Sequence, residues 1–184
     1  DCEEAVGTPP PRPACVPAKS SFLGEGALAS VWLLPESSGF GTLWRSSERP
    51  SSQGVALKVL PKPLVAFLGQ SAAIAREKQA LEALCTAAEG SGCHCPYVIR
   101  VRFATQDADH VCLGMDAVLW ALGNHPSGTS VNLEQLRQLC PQLPLSAVFG
   151  ILACAASAVV HIHACGVVHR DLKPANFVLG RDGA

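Results

Sequence analysis

His169-Arg170-Asp171-Leu172-Lys173-Pro174-Ala175-Asn176 is the most chemically constrained octet in the chain, and the rest of the sequence is best read outward from it. Asp171 supplies a carboxylate, Lys173 a cation and Asn176 an amide oxygen within one short loop. Transfer of a γ-phosphoryl group needs a carboxylate near the attacking hydroxyl, a cation near the transferred group, and oxygen ligands for Mg²⁺. Asp171 suits the first task, Lys173 the second and Asn176 the third. The Phe177-Val178-Leu179 run that follows is apolar and strand-like, which would anchor the loop in a core. An ordinary charged turn is the plain alternative, and the order of all eight residues argues against it.

The octet matches the pattern H-R-D-L-x-x-x-N and resembles the catalytic loop of eukaryotic-type protein kinases. Lys173-Pro174 is similar to the serine/threonine class. The resemblance implies an α+β, protein kinase-like two-lobed fold. Its small lobe would be a five-stranded antiparallel sheet with one main helix, followed by the start of a helical large lobe. It further implies Asp171 as catalytic base, Lys173 as the γ-phosphate contact and Asn176 as a Mg²⁺ ligand. His169 would brace the loop, and Arg170 would answer an activation-loop phosphate. ATP and Mg²⁺ are the implied cofactors, and a protein with a Ser or Thr hydroxyl is the implied substrate.

Upstream, Leu23-Gly24-Glu25-Gly26-Ala27-Leu28-Ala29-Ser30-Val31 resembles the glycine-rich loop G-x-G-x-x-G-x-V. Glycines let backbone amides approach phosphate oxygens without a Cβ in the way. Two positions depart from the family pattern: Ala29 replaces the third glycine, and Leu28 stands where an aromatic is usual. By the resemblance, Gly24, Glu25 and Gly26 would cover the phosphates and Val31 would sit over the adenine.

Val55-Ala56-Leu57-Lys58-Val59-Leu60 is an apolar strand with one lysine inside it. A lysine is costly to bury without a partner, so an acid should lie nearby. The 72–88 stretch has strong helix formers, with Ile74, Leu81 and Leu84 at helical spacing. Glu77 falls on that apolar side, whereas Glu82 falls on the solvated one. The strand resembles the family's V-A-I-K segment, with Lys58 on the nucleotide phosphates, Glu77 as its partner and Ala56 beside the nucleotide. Segments 97–104 and 110–115 read as two further strands joined by the polar turn Gln106-Asp107-Ala108-Asp109. Met115 then falls at the family's gatekeeper position, and Asp116, Ala117 and Val118 form the hinge, whose backbone would hold the adenine edge.

Composition sets the outer bounds. The chain has 184 residues, 48% of them hydrophobic, and a net charge of −1, which fits a soluble globular chain of one or two small lobes. Without a basic excess, nothing points to nucleic acid or an anionic membrane as partner. Residues 1–19 are Pro-rich and read as a disordered or extended lead-in. The small lobe and hinge would occupy 20–118, and an incomplete large lobe 119–184. Segment 35–54 reads as a Ser/Gly/Pro-rich insertion, and 123–144 as irregular with a short helix at 133–139. The helix expected over 145–165 has an apolar run of about fifteen residues, short of the ~20 of a membrane span, so it reads as a core helix.

The nine cysteines are odd in number and several fall in expected core elements, so free thiols in a reducing compartment are the default reading. Cys93-His94-Cys95 looks like part of a metal site, but no second ligand pair lies at zinc-site spacing. Asp182 reads as a turn residue and not as the acid of a D-F-G motif. With D-F-G, the activation loop and A-P-E unseen, the chain reads as a kinase fragment, inactive alone. Two alternatives are a pseudokinase scaffold and a small-molecule phosphotransferase; the latter families usually carry H-G-D in place of His169-Arg170-Asp171. The inserts and Leu113-Gly114-Met115-Asp116 faintly resemble the rhoptry kinases of apicomplexan parasites, so the compartment stays open between cytoplasm and a secreted organelle.

Overall fold

In the computed structural model, residues 10–35, 54–91, 95–119 and 130–180 are described, with side chains in the 71–91 segment described as far as Leu84. Five strands form one antiparallel sheet: β1 (Ser21–Glu25), β2 (Ser30–Leu33), β3 (Val55–Pro61), β4 (Val101–Gln106) and β5 (His110–Asp116). Their spatial order is β1-β2-β3-β5-β4. The helices are α1 (Lys62–Phe67), α2 (Ser71–Ser91), α3 (Leu133–Leu139) and α4 (Leu145–Ala164), with a 3₁₀ turn at Pro174–Asn176. This is the expected small-lobe sheet with its main helix, leading into helices of a second lobe.

Strand pairing divides the side chains between the two faces. Residues directly opposite one another share a face, and neighbours along a strand alternate. The pairs Val31↔Lys58 and Leu33↔Ala56 join β2 to β3, and Ala56↔Met115 and Lys58↔Leu113 join β3 to β5. Val31, Ala56, Lys58 and Met115 therefore share one face. Trp32, Leu57, Val59, Phe103 and Cys112 cluster on the other, together with Val16. Strand β3 is buried on both faces, which explains why it reads as a near-continuous apolar run.

Gly114 lies opposite Phe103 across β4 and β5. A Cβ at position 114 would collide with three atoms of the Phe103 ring, so the missing side chain is what lets that ring lie across the strand. Phe22 meets Trp32 edge-on, with centroids 5.2 Å apart, and extends the cluster onto β1.

Several details differ from the sequence expectation. Residues 10–19 are not a free lead-in: Val16 is 3% exposed and packs on the sheet, and its N–H donates to the Pro13 carbonyl. Strand β4 begins at Val101 and not at Tyr97, because residues 96–98 form a turn in which the Val98 N–H reaches the Cys95 carbonyl. Helix α1 was not anticipated. Pro63 looks like a breaker, yet it occupies the first turn, where a missing N–H costs little.

Helix α4 is 20 residues long with mean hydropathy 2.1, so by length and composition alone it could cross a membrane. The fifteen-residue run counted from sequence stopped short of its true extent. Ala158 and Ile162 are buried, whereas Leu145, Phe149, Leu152 and Val160 are exposed, so this helix is covered on one stripe only. The expected short helix is present as α3, closed by a reciprocal cap. The Asn132 side chain accepts from the Gln135 N–H, and the Gln135 side chain accepts from the Asn132 N–H. Segment 35–54 lies mostly outside the described residues, as do Cys93, His94 and Asp182. Among the described residues the cysteines are free thiols, and burial pushes the Cys112 thiol up to about 12.

Candidate active site

Lys58 projects from the centre of β3, where two flanking strands fix its backbone. Its Nζ lies 2.5 Å from Glu77 Oε1 on α2. Glu77 is thus the acid that meets the strand lysine, while Glu82 faces Lys78 one turn away at 3.6 Å. The Lys58 and Glu77 side chains are 26% and 41% exposed, so the ammonium is held in place yet open to a ligand. Val31, Ala56 and Met115 lie on the same face by register.

Gly24 and Glu25 end β1, and the Gly26 N–H closes the turn onto the Ala29 carbonyl at 2.8 Å. A Cβ at Gly24 or Gly26 would meet nothing within 4 Å. The backbone there is bordered by open space, as a phosphate cradle requires. Val118 at the hinge has its carbonyl taken by Ser130 Oγ at 2.7 Å.

Asp116 is the residue whose surroundings the sequence did not reveal. Arg102 Nε donates to its Oδ1 at 2.6 Å, Arg102 Nη2 to its Oδ2 at 3.0 Å, and Arg100 Nε to Oδ2 at 3.1 Å. A register shift between Val101 and Phe103 marks a bulge at Arg102, and bulges re-aim side chains. The Asp116 carboxylate therefore braces the end of β5, and its N–H donates to the Arg100 carbonyl.

A second cluster lies in the loop after α4. That helix ends in a Schellman motif at Gly166 (φ +74), with Val167 N–H to the Ile162 carbonyl and Gly166 N–H to the His163 carbonyl. The chain then turns through Arg170 at φ +66, a left-handed conformation that a non-glycine residue adopts at a cost of ~1–2 kcal/mol. Asp171 follows. Lys173 Nζ stands 2.9 Å from its Oδ2, and Asn176 Nδ2 donates to the same oxygen at 3.0 Å and to the Asp171 carbonyl at 2.7 Å. The Lys173 ammonium first, and the Asn176 amide second, hold the Asp171 carboxyl below the usual aspartate range. Because the Asn176 nitrogen is the bonded atom, its amide oxygen is turned away from Asp171 and is available to a cation. Loop and α3 are tied together by Leu133 N–H to the Phe177 carbonyl and Leu179 N–H to the Val131 carbonyl, around an isolated Asn132–Val178 bridge.

No hydrogen bond or ion pair joins the two clusters among the described residues. Behind the hinge, Tyr97, Ile99, Ile151, Cys154, Ala158 and Phe177 line a groove of about 170 Å³. That is below the ~300–1,000 Å³ of most ligand clefts, and none of Lys58, Glu77 and Asp171 lines it, so it is not the candidate site.

The sheet, the Lys58–Glu77 pair and the Asp171 loop are parts that a protein kinase-like fold implies. Residues 37–184 match the protein kinase domain family, and the chain belongs to it. The matched residues begin after the Gly24–Gly26 turn. Serine/threonine-protein kinase PkaA of Streptomyces coelicolor is 30% identical over 161 residues, covering 88% of this chain and 26% of that protein. Serine/threonine-protein kinase sid2 of Schizosaccharomyces pombe is 26% identical over 145 residues, covering 79% of this chain and 21% of its own length. AfsK of Streptomyces coelicolor is 42% identical over a shorter span of 52 residues. The chain thus spans roughly a quarter of the length of the first two.

Proposed function

We propose that this chain forms the nucleotide-binding lobe and catalytic loop of an ATP-dependent protein serine/threonine kinase. The observation that carries the reading is the Lys58–Glu77 pair on the sheet face shared with Val31, Ala56 and Met115. An ammonium so held presents a fixed positive charge to phosphate oxygens. Gly24 and Gly26 expose backbone with no side chain to obstruct it. Val31, Ala56 and Met115 supply an apolar surface for a purine, and the hinge carbonyl of Asp116 can accept from its edge.

Bound MgATP supplies the transferable phosphoryl group and the cation that neutralises its developing charge. The chain's own residues would do the positioning. Asp171 is kept ionised and can orient, and accept the proton of, a Ser or Thr hydroxyl. Lys173, beside it, places a cation toward the incoming phosphate. Asn176 offers its free amide oxygen to Mg²⁺, a suitably hard ligand. The substrate is accordingly a protein hydroxyl.

A fluorescent ATP analogue titrated with Mg²⁺ into the 184-residue chain tests the proposal. Lys58→Met should weaken binding by about tenfold, the equivalent of one lost charge-assisted contact. Asp171→Asn should leave nucleotide binding intact. Equal affinity in the Lys58→Met variant would refute the assignment.

A further inference from the structure

We propose that Cys15, Asp107 and His110 form a zinc-class metal site that staples the Pro-rich lead-in to the face of the sheet opposite Lys58. Ligand atoms of Cys15, Asp107 and His110 all lie within 4.8 Å of one another. Cys112 Sγ is 3.7 Å from Cys15 Sγ. That separation is an S–H···S contact, well beyond the ~2.05 Å of a disulfide, and it places Cys112 beside the cluster and not within it.

Three separate features bring the set together. His110 and Cys112 are two residues apart on β5, which places them on the same face of the strand. Asp107 is fixed by the hairpin turn, where its Oδ1 accepts from the N–H of Asp109 at 2.8 Å and of His110 at 2.7 Å. A carboxylate has about four lone-pair directions, so the turn does not exhaust it. His110 Nδ1 lies 3.3 Å from the same oxygen. Cys15 arrives from the other end of the chain, carried by its neighbour Val16, which is buried among Trp32, Leu57 and Val59.

Lys62, at the start of α1, bonds the Asp107 carbonyl and not its carboxylate. One thiolate, an imidazole and one carboxylate make a borderline-soft donor set, which favours zinc over magnesium or calcium. Loading releases the Cys15 proton to solvent, leaves His110 neutral, and requires no oxidant.

Cobalt(II) titration of the chelator-treated 184-residue chain tests the site. One equivalent should give the intense visible bands of a tetrahedral ion and a thiolate-to-cobalt charge-transfer band. Cys112 is core, so the decisive variants are the partly exposed Cys15→Ser and His110→Asn, each of which should abolish the stoichiometric signal. Cys95→Ser should keep it. A signal that survives Cys15→Ser, that vanishes in Cys95→Ser, or that never appears would overturn the proposal. So would a Cys15–Cys112 disulfide found by mass mapping of protein kept reduced throughout.

Discussion

At the scale of single residues, Asp171 has the most specific surroundings, with an ammonium and an amide N–H on one carboxylate oxygen. Its folded pKa is depressed, so the linked stabilisation is complete above the unfolded value, near ~3.9, and is lost as pH falls through the folded one. A ¹³C carboxyl titration should place the Asp171 midpoint below that of an ordinary aspartate, and Lys173→Ala should move it upward. A midpoint indifferent to Lys173 would break the link. The grouping of Asp171, Lys173 and Asn176 was readable because it depends on offsets of a few positions. Lys58 and Glu77 were readable for a related reason: a lone charge in an apolar strand asks for an opposite charge on an apolar helix stripe. Asp116 was not readable beyond its hinge position. Its partners depend on a bulge at Arg102, and a one-residue register shift leaves no mark on an alternation pattern.

At the scale of elements, the β4–β5 pair depends on an empty position. Gly114→Ala should destabilise the chain by about 1–3 kcal/mol, because the Phe103 ring is buried and must be displaced. In a Phe103→Ala background the same change should cost almost nothing, and urea midpoints of the four proteins would measure that coupling. Helix α3, only seven residues long, leans on its cap. Asn132→Ala should therefore cost ~1 kcal/mol, whereas Asn132→Asp should cost much less, again by urea unfolding. Strands β3 and β5 and helices α2, α3 and α4 were legible from periodicity. The start of β4 was not, since Tyr97, Val98 and Ile99 are apolar for another reason: they line the groove against α4. Helix α1 was hidden by Pro63, whose position within the first turn decides whether it breaks or begins a helix.

At the scale of the whole molecule, α4 presents Leu145, Phe149, Leu152 and Val160 along one exposed stripe, with exposures of 56–73%. Contiguous apolar surface of this kind drives association. The 184-residue chain should run as concentration-dependent oligomers in light scattering, and Phe149→Glu with Leu152→Glu should shift it toward monomer. Association unchanged by those substitutions would place the adhesive surface elsewhere. Small-lobe architecture was legible because its motifs fall in order along the chain. The docking of residues 10–19 was not, because a single valine among prolines has no period to detect. That docking bears on how the protein can be divided. Trp32, Leu57 and Val59 are kept dry partly by Val16, which precedes the first strand. A cut made just ahead of Ser21, where the motifs begin, would keep every strand and wet the sheet's outer face. The smallest autonomous piece of this protein starts upstream of its first recognisable element.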